Sequence, residues 1–160
     1  MPIELVRAYF GPLGREGDIL EFAVSSATVE LAAQAVGCEP ARIAKTLSFL
    51  VEGGCVLVVC AGDAKIDNSK FKAQFHTKAT MLNPEQVLDF TGHAVGGVCP
   101  FGISSPQVTT YLDVSLRRFE TVFPAAGSSN SAIELTCDEL AKYAKSVCWV
   151  DVCKNWEETT

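Results

Sequence analysis

The sequence predicts a mixed α/β domain, and three observations lead there. Residues 45–51 and 55–61 are two short strands joined by Glu52-Gly53-Gly54, a glycine turn that makes them an antiparallel hairpin. Helix starts with recognisable caps follow at Asp67, Asn83 and Thr136. The mixing of hairpin and helices is not the regular strand-helix alternation of a doubly wound parallel sheet. A chain of 160 residues, 48% hydrophobic and 20% charged, is also long enough to bury one core without staples.

The elements follow in order. Residues 3–10 suit an amphipathic helix stopped by Gly11-Pro12. Residues 19–24 read as a short strand. Ser25 and Ser26 are N-cap candidates for a helix over 28–35, closed by Gly37. Pro40 opens a further helical turn over Ala41, Arg42 and Ile43. In the second hairpin strand, Cys55-Val56-Leu57-Val58-Val59-Cys60 is apolar on both faces, which places it at the centre of a sheet. Asp67 caps a helix around 69–75. Asn83, Pro84 and Gln86 combine an N-cap, a first-position proline and a reciprocal amide, opening a helix at Val87-Leu88-Asp89-Phe90. Residues 108–112, 118–123 and 132–135 read as strands. Thr136-Cys137-Asp138-Glu139 is a capping box that opens the last long helix, through Lys145. A final strand is expected over 148–152. No repeat or linker divides the chain, so residues 1–160 are read as a single domain.

Composition narrows function. A net charge of −6 argues against broad, sequence-independent nucleic-acid binding, which needs many Lys and Arg on phosphates. One basic segment remains, with Lys65, Lys70, Lys72 and Lys78 interleaved by Phe71, Phe75 and His76. It is either the solvated face of a surface helix or an RNA contact. No apolar run approaches the roughly 20 residues of a membrane span, and the N-terminus lacks a secretion signal, so a cytoplasmic location without membrane contact is expected. Seven cysteines, an odd number, then read as reduced thiols. Without a Cys-x-x-Cys pair, and with only two histidines, neither zinc nor any other cofactor is expected.

Three segments carry candidate chemistry. Lys45 shares strand parity with Leu47, Phe49 and Val51, so an amine begins an apolar face. Either the side chain snorkels to water at the strand end, or its ammonium stands at a pocket rim to bind a phosphate or carbonyl oxygen. The stretch Gly92-His93-Ala94-Val95-Gly96-Gly97-Val98-Cys99-Pro100-Phe101-Gly102 holds four glycines and a proline, too many for a helix or strand interior. Such a loop is a structural turn, or it aims amide N–H groups at a carbonyl or oxyanion. It is neither a P-loop nor a dinucleotide fingerprint. Gly127-Ser128-Ser129-Asn130-Ser131 offers hydroxyl and amide groups, which are also ordinary turn residues. Cys99 with His93 as its base would make a cysteine hydrolase, although a cysteine between Val and Pro is more often packing.

Taken together, Arg42-Ile43-Ala44-Lys45-Thr46-Leu47-Ser48-Phe49, then Gly96 to Gly102, then Ala126-Gly127-Ser128 leading to Ile133-Glu134-Leu135, fall in a familiar order and spacing. The chain resembles the YbaK-like, prolyl-tRNA synthetase-associated domains, from about Glu21 to Tyr143. The resemblance implies a mixed, partly barrel-like sheet flanked by helices, with a cleft for the aminoacylated 3′ end of tRNA. It implies hydrolysis of mischarged tRNA, often tRNA(Pro) carrying alanine, cysteine, serine or threonine, with neither metal nor protein nucleophile. An aminoacyl-tRNA synthetase is the other implied partner. By the same resemblance Lys45, Gly96, Gly97 and Val98 carry the reaction: Lys45 contacts the terminal adenosine or its phosphate, and the loop supplies backbone contacts. Thr46, His93, Cys99, Pro100, Phe101, Gly127, Ser128 and Ser129 are the implied substrate-binding set. This sequence departs from several alanine-editing members, which carry a histidine just after the glycine where Ser128 stands here, so alanine specificity is not carried over. The alternative is a non-catalytic module on the same fold that binds tRNA or a synthetase.

Overall fold

The computed structural model describes residues 2–26, 28–95 and 97–156. Its centre is the hairpin. Strand β2 (Ile43–Val51) pairs antiparallel with β3 (Gly54–Ala61), from Ala44 opposite Ala61 to Val51 opposite Gly54. Strand β3 is buried along its whole length, as its two-sided apolar run requires. Val56, Val58 and Cys60 enter the main core, whereas Cys55 and Leu57 pack with Leu82 and Val87.

Around this hairpin the strands β1 (Ile19–Glu21), β4 (Lys65–Ile66), β5 (Val108–Asp113), β6 (Thr121–Pro124), β7 (Ser131–Ile133), β8 (Leu135–Thr136), β9 (Trp149–Val150) and β10 (Cys153–Lys154) complete three sheets among the described residues. The largest has six strands in the order β8-β6-β2-β3-β5-β9. Parallel pairs (β2 with β6, β3 with β5, β5 with β9) flank the antiparallel hairpin, so the sheet is mixed. Strands β1 and β7 form one antiparallel ribbon, β4 and β10 another. A bridge from Ala125 to Ala132 curls the end of β6 toward the first ribbon, giving a half-barrel.

Among the described residues five helices flank the sheets: α1 (Pro2–Phe10), α2 (Val29–Val36), α3 (Asn68–Phe75), α4 (Pro84–Thr91) and α5 (Cys137–Ala144). Asp67 caps α3, and the boxes at Asn83/Gln86 and Thr136/Glu139 both close. Such caps satisfy amides that otherwise have no helical partner and contribute about 1 kcal/mol each.

Four expected elements are corrected. The cap of α2 is Thr28, whose hydroxyl accepts from the Leu31 amide; Ser25 and Ser26 instead donate to the Ser129 carbonyl. Residues 118–123 are not one strand, because Asp113 caps a 3-10 turn over Val114–Arg118 before β6 begins. Residues 132–135 break at Glu134, where the chain changes partner from β1 to β6. Residues 148–152 likewise split, since the Val152 amide donates to the buried Asp113 carboxylate between β9 and β10. The two-residue strand β4 was not anticipated.

Candidate functional site

A cleft of about 480 Å³ opens beside β2. Six consecutive residues, Ile43 through Ser48, line it. Successive strand side chains point to opposite faces, so only a cavity that meets the strand edge-on can touch all six. That edge is open there because both neighbours leave it. Strand β6 pairs with Ile43 and Ala44 and ends at Pro124. From the other end the Leu50 amide donates to the Thr80 carbonyl and the Leu82 amide to the Ser48 carbonyl, before Asn83 and Pro84 turn the chain into α4. The opposite wall comes from α2, with Val29 and Ala32, and from Val87, Val98, Phe123 and Ala132.

Thr46 sits in this gap. Its Oγ1 is buried and finds no hydrogen-bond partner. An unpaired buried hydroxyl costs about 1–3 kcal/mol, a cost removed when a ligand supplies the partner. Ser48 and Ser131, both buried, add hydroxyls to otherwise apolar walls.

Lys45 lies at one end of the cleft, half-buried. Its ammonium donates to the carbonyls of Ala64 (2.5 Å) and Gly62 (3.3 Å), just beyond the end of β3. An ammonium has three N–H donors, so two partners leave one for a ligand. Both partners are neutral, and no carboxylate among the described residues forms an ion pair with Lys45. The cleft therefore keeps an uncompensated positive charge, suited to a phosphate or carbonyl oxygen. Gly62 is needed where it is: a Cβ there would lie 2.1 Å from the Pro40 carbonyl oxygen.

The glycine loop divides between cleft and core. Val95 and Val98 reach the cleft wall. Gly97 is wedged against the second loop, where a Cβ would meet the Ser128 main chain at 2.8–2.9 Å. Its amide closes a turn onto the Ala94 carbonyl. Gly96 lies outside the described residues. Behind the loop His93, Cys99 and Phe101 are fully buried, with Phe101 edge-on to Phe10 at 5.0 Å. Pro100 faces a separate cavity of about 430 Å³ beside Tyr9 and Tyr143. The fold does bring Cys99 and His93 together, with Sγ 3.5 Å from Nε2. The pair is not primed as nucleophile and base. His93 Nε2 donates to the Phe101 carbonyl at 2.8 Å; burial pushes the Cys99 thiol up to about 12 and His93 below its ordinary 6.5.

The second loop binds mainly itself. Gly127 adopts φ +96°, and the Ser128 hydroxyl donates to Asn130 Oδ1 or Ser131 Oγ. The Ser129 carbonyl is taken by Ser26. This loop supports Gly97 from behind and sends Ser131 to the cleft. In the basic segment, Phe71 is buried and stacks between Phe49 and Phe75, each 4.7 Å away. Phe49 and Phe71 are core and unavailable to bases, Phe75 is half-buried against them, and Lys65, Lys72 and Lys78 are exposed. All seven cysteines are free. Among the described residues no three His, Cys, Asp or Glu side chains gather as a ligand set, and no helix is long and apolar enough to cross a membrane.

Sequence reasoning missed the open edge itself. The helix start at Asn83-Pro84 was a signal that one neighbour leaves the strand, and nothing local to β2 marked the departure of the other.

Known proteins resemble this chain over the same region. A family model described as the aminoacyl-tRNA editing domain matches residues 24–143. The uncharacterized protein YwhH of Bacillus subtilis (strain 168) is 57% identical over 159 residues, covering 98% of this chain and 100% of that one. Proline–tRNA ligase of Thermotoga maritima is 29% identical over 93 residues, which are 58% of this chain and only 16% of the ligase. A solved structure, described as a proposed trans-editing enzyme for prolyl tRNA synthetase, superposes with TM-score 0.86 at 29% identity, covering 96% of this chain and 97% of that one.

Proposed function

This chain belongs to the aminoacyl-tRNA editing domain family, and on that premise we propose that it is a cytoplasmic trans-editing hydrolase. Its substrate is tRNA(Pro) mischarged with a small amino acid. The observation that carries this reading is the cleft, where Lys45 and the hydroxyls of Thr46, Ser48 and Ser131 stand among largely apolar walls.

The chemistry asks little of the protein. An aminoacyl ester is already activated, so positioning with a few aligned donors supplies much of the acceleration. Lys45 holds the terminal phosphate or ribose in register through its remaining N–H. Water, oriented by the substrate's own ribose hydroxyl, attacks the ester carbonyl carbon. The bond from that carbon to the ribose oxygen breaks, and the ribose oxygen takes up a proton. Neither a metal nor a protein nucleophile is part of this scheme, and deacylation is expected to persist after chelation. The narrow walls select by size, and the hydroxyls of Thr46, Ser48 and Ser131 suit a small polar side chain as well as alanine.

The test is release of amino acid from tRNA(Pro) charged in turn with alanine, serine, cysteine, threonine and proline. Turnover of at least one small mischarged species, with prolyl-tRNA(Pro) spared, is the expected result. No release from any of them overturns it, and tight tRNA binding without turnover selects a binding module on the same fold.

A further inference from the structure

We infer that the aminoacyl group binds as a one-residue strand on the open edge of β2, hydrogen-bonded to the main chain of Thr46. The inference rests on the editing reading above and names how that site recognises its substrate.

The register dictates which groups are free. The Ser48 carbonyl and the Leu50 amide point away from β3, since they bond Leu82 and Thr80. Backbone groups alternate along a strand, so the Thr46 N–H and C=O point to that same outer edge. On one side the pairing with β6 stops at Ala44; on the other the bridge from Phe49 to Met81 is the last before α4. Among the described residues nothing bonds the outward N–H or C=O of Thr46. The buried Oγ1 is a third unpartnered group on the same residue.

The gap is one residue long, and an aminoacyl group is a one-residue strand. In an antiparallel hydrogen-bonded pair two residues exchange both main-chain bonds. Here the substrate's α-ammonium donates to the Thr46 carbonyl, and its ester carbonyl accepts from the Thr46 amide. That amide then faces the oxygen on which charge develops during hydrolysis. Antiparallel pairing also runs the ester, and the tRNA beyond it, toward Ala44 and Lys45. Lys45, which lines the same cleft, stands on that side of Thr46.

The experiment replaces Thr46 by its α-hydroxy acid in the full chain, which removes the N–H and keeps the side chain. Deacylation of the best substrate is expected to fall about 10²-fold, with an unfolding midpoint lowered less than by the same exchange at Leu50, since at Thr46 only the Lys45 carbonyl facing Cys60 is weakened and no N–H bond is lost. The same exchange at Leu50, whose N–H donates to Thr80 at 2.8 Å, lowers the midpoint. Unchanged deacylation, or a Thr46 midpoint shift matching that at Leu50, overturns the inference. A probe independent of hydrolysis is 3′-deoxy-3′-(alanylamino)adenosine beside its propionyl counterpart. The first should slow exchange of the Thr46 amide proton, and the second should bind about tenfold more weakly for want of the ammonium. No binding, or binding without change at Thr46, refutes the edge site. If every ester is inert while the alanyl probe protects Thr46, the editing reading falls and the edge site stands.

Discussion

The open edge of β2 and the glycine loop face the same cleft, yet they contribute in opposite ways. Along β2 every residue from Ile43 to Ser48 lines the cavity, and the strand offers main chain, a hydroxyl and an ammonium. Among the described residues of the loop from His93 to Phe101, Val95 and Val98 alone face the cleft, while its imidazole and thiol sink into the core. In sequence the loop looked richer in chemistry than the strand. Burial reverses that ranking, because a desolvated thiol is a poorer nucleophile and a desolvated imidazole a poorer base for a charged intermediate. The loop acts as wall and support, and the strand edge as the polar surface.

That contrast breaks first at Lys45. Lys45→Ala is expected to lose about 10²-fold or more in deacylation rate; single-turnover kinetics on a mischarged tRNA retaining full rate would remove Lys45 from the site. Next comes Gly97→Ala. The added methyl meets Ser128 main chain, so the two loops must separate. A stability loss of about 1–3 kcal/mol should accompany a rate loss of about 10- to 100-fold, read by denaturant midpoints and the same kinetics.

Behind the loop the expected effects are on stability alone. Cys99→Ala should cost about 1 kcal/mol and leave deacylation intact, with the folded wild type resisting thiol alkylation. Abolished turnover would instead revive a cysteine mechanism. His93 sharpens this through pH. Its folded pKa lies below the ordinary 6.5, so the unfolded chain binds a proton that the folded chain refuses. Its stabilisation is therefore complete above the unfolded pKa of about 6.5 and is lost as pH falls from there toward the folded value. Urea midpoints of the wild type should drop more between about pH 7.5 and about pH 5.5 than those of His93→Gln. The smallest effect is expected outside both regions. Lys72→Ala with Lys78→Ala should change KM by about two- to threefold at low salt and leave kcat alone, which titration of salt against KM would show.

What was legible in the sequence was local. The capping residues Asp67, Asn83 and Thr136, and the two-sided apolar run of β3 each act within a few residues of themselves and appear where expected, while the turn before β3 tightens to Glu52-Gly53 as Gly54 joins the strand. Where two local choices were equally good, a distant group decided. Ser25, Ser26 and Thr28 are all competent caps, and the Ser129 carbonyl captured the serines. The break at Glu134 depends on β1 and β6, which no window around Glu134 contains.

The sequence by itself determined the hairpin, the helices that flank it and the presence of Lys45 and a glycine loop. Alternation along a strand is a statement about faces, and it says nothing about edges. Only the tertiary structure decided that β6 and the segment before α4 both leave β2 beside Thr46, and that Gly97 rests on Ser128 while Cys99 and His93 turn inward. An edge is open or closed according to which other strands arrive, and that is settled by packing across the whole core.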